Sequence, residues 1–194
     1  MPRVVPDQRE KFENDEVFRK LCREAEIRFT GYKDRPHEER QLRFHAECQE
    51  GRADIAIVSS GMNFPLTFIS NAWSEHPEDR LPTKEFIDFD REVGKVHLKS
   101  QFIMNGVCVI FRGWVDLQRL DGAGRLEFDE ERAQIEDSML RDQIEQYNQR
   151  LREIEDRQRH LQVERERQAE AEAEVVQVLL DFSEFPGSNN FKRG

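Results

Sequence analysis

The stretch Ile103-Met104-Asn105-Gly106-Val107-Cys108-Val109-Ile110 sets an Asn-Gly pair between two apolar runs. Asn and Gly both tolerate the positive φ that a two-residue turn between antiparallel strands requires, so the pair predicts a tight hairpin. Working outward, Lys95-Val96-His97-Leu98-Lys99 alternates apolar with polar before the turn, and Val107 through Leu117 supplies the returning strand. One feature is odd for a corner. Ile103 and Met104 bring large apolar side chains right up to it.

Further upstream the same two-residue period recurs. Ala53, Ile55 and Ile57 alternate with Asp54, Ala56 and Val58, and after Gly61 the run Phe64, Leu66, Phe68 alternates with Pro65 and Thr67. Phe86-Ile87-Asp88-Phe89 adds another strand, and Glu26-Ile27-Arg28-Phe29-Thr30 a short early one. The polar segment between them, Asn71 to Pro82, has two prolines and reads as a long exposed loop. Phe12, Val17, Phe18, Leu21 and Ala25 keep helical spacing over about 8–26. A second helix follows Pro36 with acids in its first turn, carries Leu42, Phe44, Ala46 and Cys48, and ends at Gly51. Helices followed by about six strands predict an α+β fold: a small, partly open antiparallel β-barrel with flanking helices.

After Leu126 the composition changes. Residues 128–174 are dense in Glu, Arg and Gln, with Leu140, Ile144, Tyr147, Leu151, Ile154 and Leu161 spaced 4, 3, 4, 3 and 7 apart and a polar gap at Gln158. This heptad seam suits either a single amphipathic helix resting partly on the domain or a coiled-coil dimer. The expected organisation is a globular domain over 1–127, a charged amphipathic helix over 128–180 and a disordered tail over 181–194.

With 40 acidic against 30 basic residues the formal net charge is -10, which repels phosphate and argues against direct DNA binding. No run approaches the roughly 20 apolar residues that span a bilayer, and the N-terminus lacks the continuous apolar segment of a signal peptide, so an intracellular, membrane-free protein is expected. Three dispersed cysteines, Cys22, Cys48 and Cys108, suit buried free thiols better than disulfides or a zinc site.

Motifs for chemistry are incomplete. His37-Glu38-Glu39-Arg40-Gln41 begins like a zinc-protease helix, but Gln41 stands where the second His ligand belongs. Asp121 to Glu130 echoes a calcium loop, yet Arg119 and Ala123 replace two oxygen ligands, which leaves a Gly-rich turn leading into the helix as its reading. Nucleophile elbows and phosphate-binding glycine loops are missing. The chain therefore reads as no enzyme, with no catalytic residue, metal, cofactor or small-molecule substrate. What remains is surface: with Phe64, Leu66, Phe68, Val96 and Leu98 inward, Thr67, His97 and Lys99 turn outward, and the hairpin tip presents Met104 and Asn105 beside them.

Four segments are similar to one known family: Met1 to Arg9, Asp34 to Gln41, Asn105 to Ile110 and Asp116 to Gly122. Together they resemble the β subunit of core-binding factor, nearly continuously over residues 1 to about 136, in the manner of an invertebrate member. The resemblance implies a partly open β-barrel and a role as the non-DNA-binding partner of a Runt-domain transcription factor, whose DNA affinity it raises allosterically as a coactivator. DNA would be met only through that partner, and the protein would be nuclear when bound to it and cytoplasmic otherwise. Carried across, the family's partner surface falls on Gly61, Asn63, Met104 and Asn105, with Arg3, Thr67, His97 and Lys99 as neighbours. Thr67 stands where Gln is usual, His97 where Tyr is usual and Met104 where Leu is usual. Two other readings are a scaffold or cytoskeletal protein acting through the C-terminal helix, and an OB-like single-strand binder, which would need outward aromatics along a basic groove.

Overall fold

The computed structural model describes residues 3–184. The chain divides into two compact units, Met1–Leu140 and Arg141–Gly194. The first contains a single curled sheet of seven strands: β1 (Ala25–Phe29), β2 (Arg52–Ile57), β3 (Met62–Thr67), β4 (Ile87–Asp88), β5 (Lys95–Met104), β6 (Val107–Asp116) and β7 (Asp121–Phe128). Their order is β3-β2-β1-β7-β6-β5-β4, and every neighbouring pair is antiparallel. Curling brings β3 toward β5, where the Phe64 and Phe102 rings meet at 5.8 Å. The result is the partly open barrel that the alternation predicted. Its edges are blunted in two ways, by Pro65 in β3, which has no N–H to offer a further strand, and by the two-residue length of β4.

The Asn-Gly turn is the hairpin corner. Asn105 and Gly106 have φ of 49° and 79°, and Met104 pairs with Val107 across them. Ten consecutive pairs, from Lys95↔Asp116 to Met104↔Val107, then fix the register of β5 on β6. Val96, Leu98, Phe111 and Val115 enter the core from this hairpin, with Leu66 and Phe68 from the β3 region and Ile55 and Ile57 from β2.

β7 replaces the turn expected at Asp121 to Glu130. Two glycines made the segment look like a loop, but both sit inside the strand because neighbouring chains press on them. Gly124 pairs directly with Gly113 of β6, and a Cβ on Gly124 would lie 2.8 Å from Phe111 Cζ. A Cβ on Gly122 would run into the Trp114 carbonyl. Here glycine permits close approach in a sharply curled sheet.

The helices also depart from the expected limits. The first splits into α1 (Gln8–Asn14) and α2 (Glu16–Leu21), because Asp15 takes an extended backbone and its carboxylate accepts from Val17 N, capping the second piece. In α3 (His37–Glu50) only Phe44 and Cys48 are buried, and Leu42 faces solvent. The residues of the incomplete zinc motif have a structural partner: His37 and Gln41, one turn apart, both donate to the Gln118 carbonyl at 2.6 and 2.7 Å. Cys48 and Cys108 are buried free thiols, and burial pushes Cys108 up to about 12. Cys22, expected to be buried, is only partly so.

Helix α4 (Glu130–Ser183) starts where β7 ends. Asp129 caps it by accepting from Arg132 N at 3.1 Å, and also accepts from Gln101 at 3.1 Å. Of the tail expected over 181–194, residues 185–194 lie outside the described residues. No described helix is long and apolar enough to cross a membrane.

The N-terminal segment ties the start of α4 to the hairpin. Gln8 is 2% exposed, its Oε1 accepts from Cys108 N at 2.8 Å, and its Nε2 donates to Asp137 Oδ1 at 2.7 Å and to the Ala133 carbonyl at 3.3 Å. Val5 N adds a bond to the Gly106 carbonyl at 2.9 Å. Replacing Gln8 by Leu keeps the bulk but strands the buried Cys108 N–H. The expected loss is about 1–3 kcal/mol of unfolding free energy, read from denaturant melts.

Candidate protein interface

Three surfaces contain the residues singled out from sequence. The first is the β2–β3 turn and the outer side of β3. Gly61 occupies that turn with φ 68°, and apart from its two chain neighbours no described residue lies within 4 Å of where its Cβ would be. Asn63 and Thr67 follow on the exposed side of this edge strand, and the Asn63 side-chain oxygen accepts from Thr30 Oγ1 at 2.8 Å. Backbone and side chains here lie open.

The second is the hairpin tip. Asn105 is exposed, its carbonyl accepts from Lys11 Nζ at 2.7 Å, and among the described residues nothing hydrogen-bonds its side-chain amide. Gly106 beside it is pinned under Val5, since a Cβ there would lie 2.7 Å from Val5 Cγ1. The corner is therefore a rigid mount for one free amide. Phe102 of the same strand touches Phe64 of β3, so Asn63 and Asn105 each stand a few residues from the contact that closes the barrel seam.

Met104 does not join that surface. It shares the parity of Val96, Leu98 and Ser100 on β5, so it points into the core and is only 8% exposed. Ile103 takes the opposite face, where it packs with Val4, Cys108 and Ala133 in a small cluster under the start of α4. This accounts for the large side chains at the corner. Met104 is buried on one side of the sheet and Ile103 is partly buried on the other.

The third surface is the outer face of β5, β6 and β7. His97 and Lys99 do turn outward, opposite Trp114 and Arg112, but they are not open: their side chains are 16% and 15% exposed. Lys99 lies across the Phe86 ring and pairs with Glu85 at 2.9 Å, while His97 lies 3.5 Å from Glu92. They line a cleft of about 360 Å³ with Arg112, Trp114, Arg125 and Glu127. Arg112 and Arg125 both pair with Glu127, and Lys95 lies over the Trp114 ring at 4.1 Å. Trp114 is the outward aromatic that alternation alone did not pick out. Each of these cations is engaged by a carboxylate, Lys95 by Glu92 at 3.0 Å and the two arginines by the one Glu127, which leaves less free positive charge for phosphate.

Arg3 is bound elsewhere, in a 2.8 Å ion pair with the buried Glu136 of α4. Arg132 pairs with the same carboxylate, and both guanidiniums lie over Trp73, at 4.4 Å for Arg132 and 5.9 Å for Arg3. Trp73, in the segment expected to be an exposed loop, is thus half-buried. Nothing in the sequence around Trp73 or Glu136 signals this cluster, because its members come from three distant segments.

A curled sheet thus brings a polar corner and an exposed edge strand to its surface. The chain belongs to the core binding factor beta subunit family, whose profile it matches over residues 1–169. The match runs past residue 136, the limit expected from the sequence, into α4. Among its relatives are Protein big brother of Drosophila melanogaster, 60% identical over 159 residues covering 82% of this chain and 72% of that one. Protein brother of the same fly is 58% identical over 153 residues, covering 79% and 69%.

The burial contrast at the hairpin is measurable. Met104→Ala should lower the unfolding free energy by about 2–5 kcal/mol in denaturant melts, as truncation of a buried Met does, whereas Asn105→Ala should leave the melt nearly unchanged.

Proposed function

We propose that this protein is the non-DNA-binding subunit of a heterodimer with a Runt-domain transcription factor, and that it raises the partner's DNA affinity without touching DNA. The family match over residues 1–169 carries this reading. The net charge of -10 agrees with it, as do the outer-face arginines engaged by Glu127, because a subunit kept off the duplex needs no basic patch.

The partner surface is assigned to Gly61, Asn63 and Asn105 at its centre, with Thr67 beside them on β3. Gly61 leaves room for a close backbone approach, and the free amide of Asn105 offers two donors and an acceptor from a corner that does not have to be ordered on binding. Met104 supports this corner from inside the core. His97, Lys99 and Arg3 contribute at the margin, where binding would first have to loosen the contact of His97 with Glu92 and the ion pairs of Lys99 with Glu85 and of Arg3 with Glu136. Enhancement then follows from linkage. If the Runt domain exchanges between DNA-competent and incompetent forms, a subunit that prefers the competent form shifts the balance, typically by roughly 1–3 kcal/mol. The protein acts as a coactivator in the nucleus with its partner and stays in the cytoplasm without it.

A gel shift with a purified Runt domain and its DNA site tests the proposal directly. Adding this protein should give a slower complex that forms at lower Runt-domain concentration; an unchanged DNA affinity refutes the enhancement. Asn105→Ala should weaken the heterodimer by roughly tenfold or more with a normal melt, the behaviour of a central polar contact. Undiminished binding by that variant would remove Asn105 from the interface.

A further inference from the structure

The residues of α4 beyond Leu140 present a face that the partner surface does not use. Ile144, Tyr147, Leu151, Ile154 and Leu161 recur along it at spacings of 3, 4, 3 and 7, and each is at least 40% exposed. The same phase continues without insertion or deletion to Val175 and Leu179, also exposed. In heptad terms Ile144, Leu151 and Gln158 are a positions, and Tyr147, Ile154 and Leu161 are d positions. A stripe confined to a and d is narrower than the face a helix lays on a globular core, and it matches the seam of a coiled coil. Leu140, the preceding d residue, packs instead with the Val4, Cys108 and Ala133 cluster, so the stripe left uncovered begins at Ile144.

We propose that residues 144–161 of α4 pair with the same segment of a second copy of this chain as a parallel, in-register, two-stranded coiled coil. Charge decides the orientation. In the parallel arrangement a g residue faces the e residue five positions later on the other helix, which sets Arg150 against Glu155, Gln143 against Asn148 and Arg157 against Gln162. Both symmetry-related Arg150–Glu155 contacts are attractive, and none of these pairs is of like charge. The antiparallel alignment that best matches the apolar residues, Ile144 with Leu161 and Leu151 with Ile154, brings Arg150 beside Arg157. That contact is repulsive. Gln158 contributes the polar a layer: in register, its amide meets its own copy and can hydrogen-bond there, while any slip buries it against an apolar residue.

The polar stretch after Leu161 sets the far limit. In-register pairing would place Arg165 against Arg165 and Glu172 against Glu172 at successive a positions, so the helices separate before Val175 and Leu179. The residues that pair here are distinct from Gly61, Asn63 and Asn105, and the proposal does not depend on the Runt-domain reading.

Sedimentation equilibrium of the full chain over a dilution series tests it. The mass should rise with concentration from 23.1 kDa toward twice that value. Leu151→Glu should hold it at the monomer value with an unchanged melt of the globular domain, since Leu151 is exposed in the single chain. Arg150→Glu should weaken the dimer roughly tenfold by turning two attractive contacts repulsive, and adding Glu155→Arg should restore it. For orientation, Gln158→Cys in a Cys22→Ser background should cross-link on mild oxidation. A monomer at every concentration, or a dimer indifferent to Leu151→Glu, overturns the proposal; a dimer that fails to cross-link at 158 overturns its parallel register.

Discussion

The buried side-chain amide of Gln8 is the point on which the junction of the N-terminal segment, the hairpin and the start of α4 depends. Its oxygen holds the N–H of Cys108, the second residue of β6, and its nitrogen holds the first turns of α4 through Asp137 and the Ala133 carbonyl. A helix start, a strand start and the chain's N-terminal segment are thereby fixed to one another by a single residue. Such an amide is costly to bury unless its hydrogen bonds are made, and satisfied as it is, it admits few alternative arrangements of these three segments. Arg3, Arg132 and Glu136 reinforce the same junction at its margin, with one buried carboxylate shared between two guanidiniums.

From that junction the hairpin carries order along the sheet. The Asn105–Gly106 turn fixes which residues pair, and ten pairs extend that choice over the length of β5 and β6. Because side chains alternate along a strand, a slip by one residue would exchange Met104 for Ile103 and Leu98 for His97 or Lys99 on the inner face. Glycines at 113, 122 and 124 then let β7 approach β6 closely enough for the sheet to curl. The free Asn105 amide is thus held by the same turn that sets the register, so a role in folding and the proposed role in recognition fall on one corner without conflict.

The proposed interface and the α4 seam have opposite physical characters. The first rests on a rigid corner and an open edge strand, where little conformational entropy remains to be lost on binding. The second rests on apolar residues spread along an exposed helix, where only a matching stripe can cover them.

Much of this was legible in the sequence, because the relevant rules are local. The hairpin follows from Asn-Gly, the inward positions of Leu66, Phe68, Val96 and Leu98 from a period of two, and the long helix from composition. The outward parity of Thr67, His97 and Lys99 was legible for the same reason. Parity says which side of a sheet a residue takes, however, and not what covers that side. Only the tertiary structure decided that Glu85, Phe86 and Glu92 lie over Lys99 and His97, that Met104 belongs to the core, and that Gly122 and Gly124 form a strand where isolated glycines suggested a turn. Each of these depends on segments distant in the chain, and their contacts leave no periodic trace in the sequence.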